Sequence, residues 1–165
     1  MEITLPNVIA TGIYNSNLIF KKGTYSKNRK VKMFEIEIAL EKGGISYVNE
    51  KKMKIEPDLL IIAKPNDIRH TLTPFKCYYV HMILLDGELY DKLLKVPTFI
   101  KTNKKDTFIE LFKKISLMYE ASTKNQEIML QSHILELVYL ILEESKNISL
   151  QETLNKNTYE VETTL

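Results

Sequence analysis

Phe34-Glu35-Ile36-Glu37-Ile38-Ala39-Leu40-Glu41 is the stretch on which the fold turns. Phe34, Ile36, Ile38 and Leu40 fall on one face, with three glutamates and Ala39 on the other. A period of two marks a strand with one buried side, and Glu35 and Glu37, two apart, read as its solvated face. Lys42-Gly43-Gly44 then supplies a turn. Beyond it, Ile45–Val48 and residues 53–55 read as a hairpin around Asn49-Glu50-Lys51. Leu59-Leu60-Ile61-Ile62-Ala63 is a short apolar run closed by Pro65-Asn66-Asp67. Ile68–Leu72 and residues 77–85 follow, separated by Thr73-Pro74-Phe75. Upstream, residues 8–13 and 18–22 are the expected first strands. Seven or eight short strands with turns at close intervals predict an antiparallel barrel or double-sheet roll.

From about residue 86 the pattern becomes helical. Strands followed by helices indicate an α+β arrangement. Thr107-Phe108-Ile109-Glu110 fits a capping box, with Phe108, Leu111 or Phe112, Ile115 and Met118 after it at helical spacing. Residues 123–126 repeat the box before a longer helix ending near Ser145. Its polar stripe of Ser132, Glu136, Tyr139 and Glu143 is narrow. Two apolar stripes flank it: Ile128, Leu135 and Leu142 on one side, Leu130, Ile134, Leu137 and Ile141 on the other. A surface helix needs one apolar stripe. With two, the helix either lies central in its own domain or covers the barrel and still offers a homodimer seam; the seam is expected, drawn from Ile128, Leu130, Ile134, Leu135, Val138, Ile141 and Leu142. Residues 1–146 thus read as one domain, strands to about 85 and helices to about 146. Residues 147–165 are polar and read as a linker.

The 165-residue chain carries a net charge of only +2, its lysines interspersed with glutamates. A DNA-binding domain usually has a stronger basic face, so the chain alone is expected to bind DNA weakly or not at all. Cys77 is the single cysteine, which excludes an internal disulfide and suits a reducing cytoplasm. It reads as a small hydrophobe in a strand. No run of about 18 apolar residues predicts a membrane span, and the N-terminus lacks the form of a secretion signal.

Residues 29–87 resemble the N-terminal regulatory domain of AraC-family transcription factors. Arg29 precedes Phe34-Glu35-Ile36, where the family has a basic residue and an aromatic-acidic strand. Gly43-Gly44 takes the place of its glycine turn. Glu56-Pro57-Asp58 leads into Leu59–Ile62, without the glycine usual at that turn. Pro65 and His70 follow, then Tyr78-Tyr79-Val80-His81-Met82 and Asp86-Gly87. The resemblance implies a cupin-like, jelly-roll β-barrel followed by C-terminal helices. It also implies a bacterial transcription regulator whose barrel binds a small effector and whose helices dimerise. Its DNA contacts would be made by helix-turn-helix units that do not fit in residues 147–165.

The rival is a metal-dependent cupin enzyme, which holds its ion with about three histidines and a glutamate. The hairpin from Gly44 to Met53 contains no histidine. Only His70 matches a ligand position, and His133 lies far along the chain. No nucleophile elbow or phosphate loop is present either. No catalytic residue, metal or cofactor is therefore expected. A ligand-free interaction module is the other alternative. For an effector pocket the candidate liners are Phe34, Ile36, Tyr47, Ile62, His70, Tyr79 and His81. Arg29, Lys30 and Lys32 are candidates to meet an anion at the rim. Alternation groups Tyr79 and His81 with Cys77, against Tyr78, Val80 and Met82, and leaves open which set faces inward. A sugar would want several polar groups inside, and the apolar strands offer few, so a hydrophobic or acidic effector is expected.

Overall fold

The computed structural model describes residues 2–121 and 123–164, with side chains as far as residue 155. Nine strands form two antiparallel sheets. They are β1 (Asn7–Asn15), β2 (Arg29–Lys30), β3 (Phe34–Ala39), β4 (Ile45–Val48), β5 (Lys51–Lys54), β6 (Leu59–Ala63), β7 (Ile68–Leu72), β8 (Lys76–Ile83) and β9 (Phe99–Lys101). One sheet has the order β1-β8-β3-β6-β9, the other β2-β7-β4-β5. Among the described residues no ladder joins the two sheets into a closed ring. Helix α1 (Glu88–Lys95) interrupts the last strands; α2 (Lys105–Glu120) and α3 (Lys124–Thr164) follow them.

The helices cover one face of the five-stranded sheet. Phe34, Ile36, Ile38, Leu60, Ile62, Val80 and Met82 project from that face into a core completed by Leu93, Phe108, Phe112, Ile115, Ile134, Leu137 and Ile141. On the opposite face, Ala39, Ile55, Leu59, Ile61, Phe75 and Cys77 form a smaller cluster between the sheets. Strand β3 is consequently buried on both sides. The solvated face expected for its glutamates does not exist: Glu35 and Glu37 are only 4% and 5% exposed. The cause lies in the register, for β3 is flanked by β6 and β8 and roofed by the second sheet. Cys77 behaves as anticipated, a buried hydrophobe whose thiol burial pushes well above its usual range.

Polar contacts fix the helices to the strands. Tyr119 donates its hydroxyl to the Ile9 carbonyl at 2.6 Å, and Gln131 Nε2 donates to the Pro6 carbonyl at 2.7 Å. Thr102 Oγ1 donates to Glu144 Oε1 at 2.9 Å inside the core. Thr102→Val would leave that buried carboxylate without its donor, and a cost of about 2 kcal/mol is expected in urea unfolding.

Several sequence expectations change. No strand forms at 18–22. Ser16–Leu18 instead makes a 3₁₀ turn, capped by the Asn15 side chain, which accepts from the Asn17 amide at 3.1 Å. Helix α2 starts two residues before Thr107, so that capping box does not form. Thr102 Oγ1 instead accepts from the Lys104 amide at 3.0 Å, just ahead of the helix. The second box forms in half: Gln126 Oε1 accepts from the Thr123 amide at 3.1 Å. Strand β9, three residues long, was not foreseen. Nor is there a break at residue 146. Residues 147–164 hold neither glycine nor proline, and α3 runs through the expected linker.

The same helix corrects the dimer seam. Ile134, Val138 and Ile141 are fully buried in their own domain, and Leu130, Leu135 and Leu142 pack half-buried against the same core. Of the seven, Ile128 alone stands out, at 71% exposed. No helix among the described residues is long and apolar enough to cross a membrane.

Candidate functional site

Between the sheets lies a cavity of about 510 Å³. Its floor is the inward face of β3 and β8, where alternation brings out the residues that the helical core does not use. Glu35 pairs across the ladder with His81, and Glu37 with Tyr79. On the facing sheet Arg29 of β2 lies opposite Arg69 of β7. The two arginines reach across the gap to the two glutamates.

Arg69, 3% exposed, spans both carboxylates. Its Nη1 donates to Glu35 Oε1 at 2.9 Å and Glu37 Oε1 at 3.0 Å, and its Nη2 to Glu37 Oε2 at 2.9 Å. Arg29 grips Glu35 with two further bonds of 2.8 and 2.6 Å. Such forked, charge-assisted pairs are the strongest side-chain hydrogen bonds available to a protein. Burial opposes the charge on Arg69, but Glu37 and Glu35 more than offset it and keep the guanidinium protonated. Burial alone would raise the Glu35 carboxyl; the Arg29 hydrogen bond and the charges of Arg69 and Arg29 outweigh it and hold the group below its usual value. Burial likewise holds His81 below its usual value, against the pull of Glu35 and Glu37.

These shifts fix a pH dependence. His81 ordinarily titrates at 6.5 and Glu35 at 4.5. Both take up a proton less readily in the folded chain than in the unfolded one, so both contributions are full at higher pH and are lost on acidification. Tm is expected to fall below about pH 6.5 through His81 and further below about pH 4.5 through Glu35. His81→Gln should flatten the upper limb of a Tm-against-pH curve and leave the lower one. An unchanged upper limb would remove His81 from the account.

Of the residues singled out in the sequence, Arg29, Tyr79 and His81 line the cavity. His70 borders it, but its ring stacks on Tyr47 at 4.4 Å, with Tyr25 close by. Alternation with the buried Arg69 puts that aromatic group on the outer side of the four-stranded sheet. Lys30, the partner of Ile68, shares that side. Phe34, Ile36 and Ile62 face the helices and do not line the cavity. Lys32 sits apart, at a small hollow beside Tyr90.

The sequence reading missed Glu37, Arg69, Tyr14, Ser26, Thr71 and Phe75, all of them lining residues. One signal was there to be used. The chain holds 21 lysines and only two arginines, and both arginines are in this cluster. Arginine is the cation suited to a buried, forked carboxylate pair.

Metal binding can be tested on the same residues. Glu35, Glu37 and His81 each bring a ligand atom within 4.8 Å of the others. The Arg69 guanidinium already takes up oxygens of both carboxylates, supplying the positive charge that a metal would bring. His70 and His81 lie on opposite sides of the four-stranded sheet, and His133 is on α3 beside Glu136. The donor set does not fit a cupin metal centre.

No protein-family model and no curated protein matches the chain. Among solved structures, the plu4264 protein from Photorhabdus luminescens, studied by ensemble refinement, is similar over 45% of this chain at 21% identity, with a TM-score of 0.33. The match takes in 62% of that chain, less than two thirds of its length. A likeness of that extent leaves fold and function to the geometry of the chain itself.

Proposed function

We propose that this chain is the effector-sensing half of an AraC-type transcription regulator, its two sheets forming a cupin-like roll around a small-molecule pocket. The observation that carries this reading is the cavity itself, a hollow of about 510 Å³ with charged and hydroxyl-bearing walls. Ligand pockets usually measure ~300–1,000 Å³. The helices stand on the far side of the sheet whose other face forms the cavity floor. A ligand that shifts β3 or β8 therefore bears on the helical layer directly. It acts as an effector only if it binds two arrangements of that layer unequally. The protein catalyses no reaction of its own in this reading.

Dimerisation is assigned to the outer face of α3, where Ile128, Met129, Tyr139, Leu150 and Leu154 are exposed. Ile128→Ser should leave stability within about 0.5 kcal/mol and shift the chain from dimer to monomer in analytical ultracentrifugation. A dimer that survives the substitution would move the seam elsewhere.

Native mass spectrometry of the purified chain, with and without chelator, tests the whole reading. A metal-free dimer, or an additional organic mass, supports it. A monomer holding a chelator-sensitive metal would replace it with the enzyme reading, whose one supporting observation is the closeness of Glu35, Glu37 and His81.

A further inference from the structure

We infer that the outer face of the four-stranded sheet binds single-stranded nucleic acid. Bases stack on Tyr25, Tyr47 and His70, and phosphates are held by Lys30, Lys52 and Lys54. The inference is independent of the effector reading, which concerns the cavity between the sheets.

The net charge of +2 conceals how unevenly the chain is charged. Strands β2, β4, β5 and β7 together hold six lysines and arginines and not one aspartate or glutamate. Arg29 and Arg69 turn inward to Glu35 and Glu37. Three of the lysines go to the outer side by register: Lys52 lies across from Tyr47, Lys54 from Ile45 and Lys30 from Ile68. All three are exposed, and none forms an ion pair among the described residues. The acids nearest along the chain, Glu50, Glu56 and Asp67, lie outside the strands. Asp67 is already bonded to the Asn49 side chain and the Lys64 amide. A cationic face left without counter-charges attracts a polyanion. It would repel a second copy of itself.

The middle of the same face is aromatic. Tyr47 and His70 stand on the two central strands as ladder partners, their rings stacked at 4.4 Å and 6°. Tyr25, 59% exposed, bridges to Leu72 from the preceding loop and lies 6.3 Å from Tyr47 and 6.1 Å from His70. Rings therefore occupy the centre of a face roughly 14 Å wide, with Lys30 on one outer strand and Lys52 and Lys54 on the other. The helices pack on the five-stranded sheet and leave this face open. Unpaired bases use both features, since every base has a flat surface to stack and every nucleotide a phosphate to neutralise. A duplex keeps its bases stacked on one another and would meet the lysines alone, which preserves the weak binding of double-stranded DNA expected from the sequence. An acidic peptide would likewise leave the rings unused. A lipid surface takes protruding aliphatic or indole side chains, and on these four strands Ile68 is the exposed one, at 40%.

The test is fluorescence anisotropy on the full chain with labelled oligomers of about 12 nucleotides: oligothymidylate, oligouridylate and a duplex of equal length. Polyglutamate and phosphatidylserine vesicles are the comparison probes. At about 50 mM salt the single strands should bind with a Kd of roughly 10 µM, and the duplex at least about 10-fold more weakly. Three phosphate contacts give a slope of log K against log salt of about −2, and Lys52→Gln with Lys54→Gln should reduce it to about −0.7. Tyr25→Ser and Tyr47→Leu should each weaken single-strand binding about 5-fold or more and leave that slope in place. Tyr25→Ser, at an exposed position, should keep Tm within about 2 °C of the parent, so it decides the matter if Tyr47→Leu unsettles the sheet. Duplex or polyglutamate bound as tightly as the single strands would overturn the proposal, as would single-strand binding indifferent to loss of the rings. Absence of any binding at about 100 µM would overturn it too, and binding confined to the vesicles would assign the face to a membrane instead.

Discussion

Arg69→Met is expected to lower stability by about 3–5 kcal/mol, the loss usual when one partner of a buried ion pair is removed. For a chain of this length that is a drop in Tm of roughly 10–15 °C. Two carboxylates would be left facing each other, with oxygens within 4.8 Å and only Arg29, gripping Glu35 alone, to compensate. The variant should also reverse the pH dependence. In the parent chain Glu35 is held below its usual value and acid destabilises. Without Arg69 the carboxylates repel, the folded state takes up protons more readily than the unfolded one, and acidification from pH 7 towards pH 4 raises stability. Adding Glu35→Gln and Glu37→Gln should recover part of the loss at neutral pH. A variant with unaltered Tm, or one that still weakens in acid, would show that the cross-sheet ion pairs do not hold the two sheets together.

The second large effect belongs to a glycine. A methyl group on Gly44 would stand 1.6 Å from the Leu72 carbonyl oxygen and 2.6 Å from its carbon, both backbone atoms. No side-chain rotation relieves such a contact. The β4–β7 ladder begins with Ile45 opposite Leu72, so the first pair of the four-stranded sheet would have to part. Overpacking in a core commonly costs ~1–3 kcal/mol and occasionally more; with backbone on both sides, Gly44→Ala should lie at or above the top of that range in urea unfolding. Gly23→Ala is the control. Gly23 has a positive φ of 81° but nothing within 4 Å, so only local strain of ~1–2 kcal/mol is expected there. Equal costs at the two sites would mean that the close approach at Gly44 relaxes away.

How far the structure was legible in the sequence depended on which physical signal each segment carried. The strand bounds at Ile45–Val48, Leu59–Ala63 and Ile68–Leu72 were read to the residue, because turn residues bracket each apolar or alternating run. β3 was recognised as a strand and misread as a surface. Periodicity reports that two faces differ, not that one of them is wet, and charged residues buried by partners on another strand look the same as charged residues in solvent. Arg69 is 32 to 34 positions away from the glutamates it serves, a separation over which local pattern is silent. His70 was promoted by resemblance and demoted by alternation, since Arg69 takes the inward place beside it. On α3 the two apolar stripes were real, but the three-dimensional core consumed most of both.

The length of α3 has a mechanical consequence. At 1.5 Å per residue, its 41 residues make a rod of roughly 60 Å, clamped in the core by the stretch from Ile134 to Ile141. Thr164 then lies about 35 Å along the axis from Ile141. A pivot of about 5° at the clamp, the scale of a side chain repacking against Phe112 or Leu137, would swing that far point through roughly 3 Å. Sub-ångström adjustments beneath the sheet are in this way enlarged several-fold at the tip, with no hinge and no moving domain required.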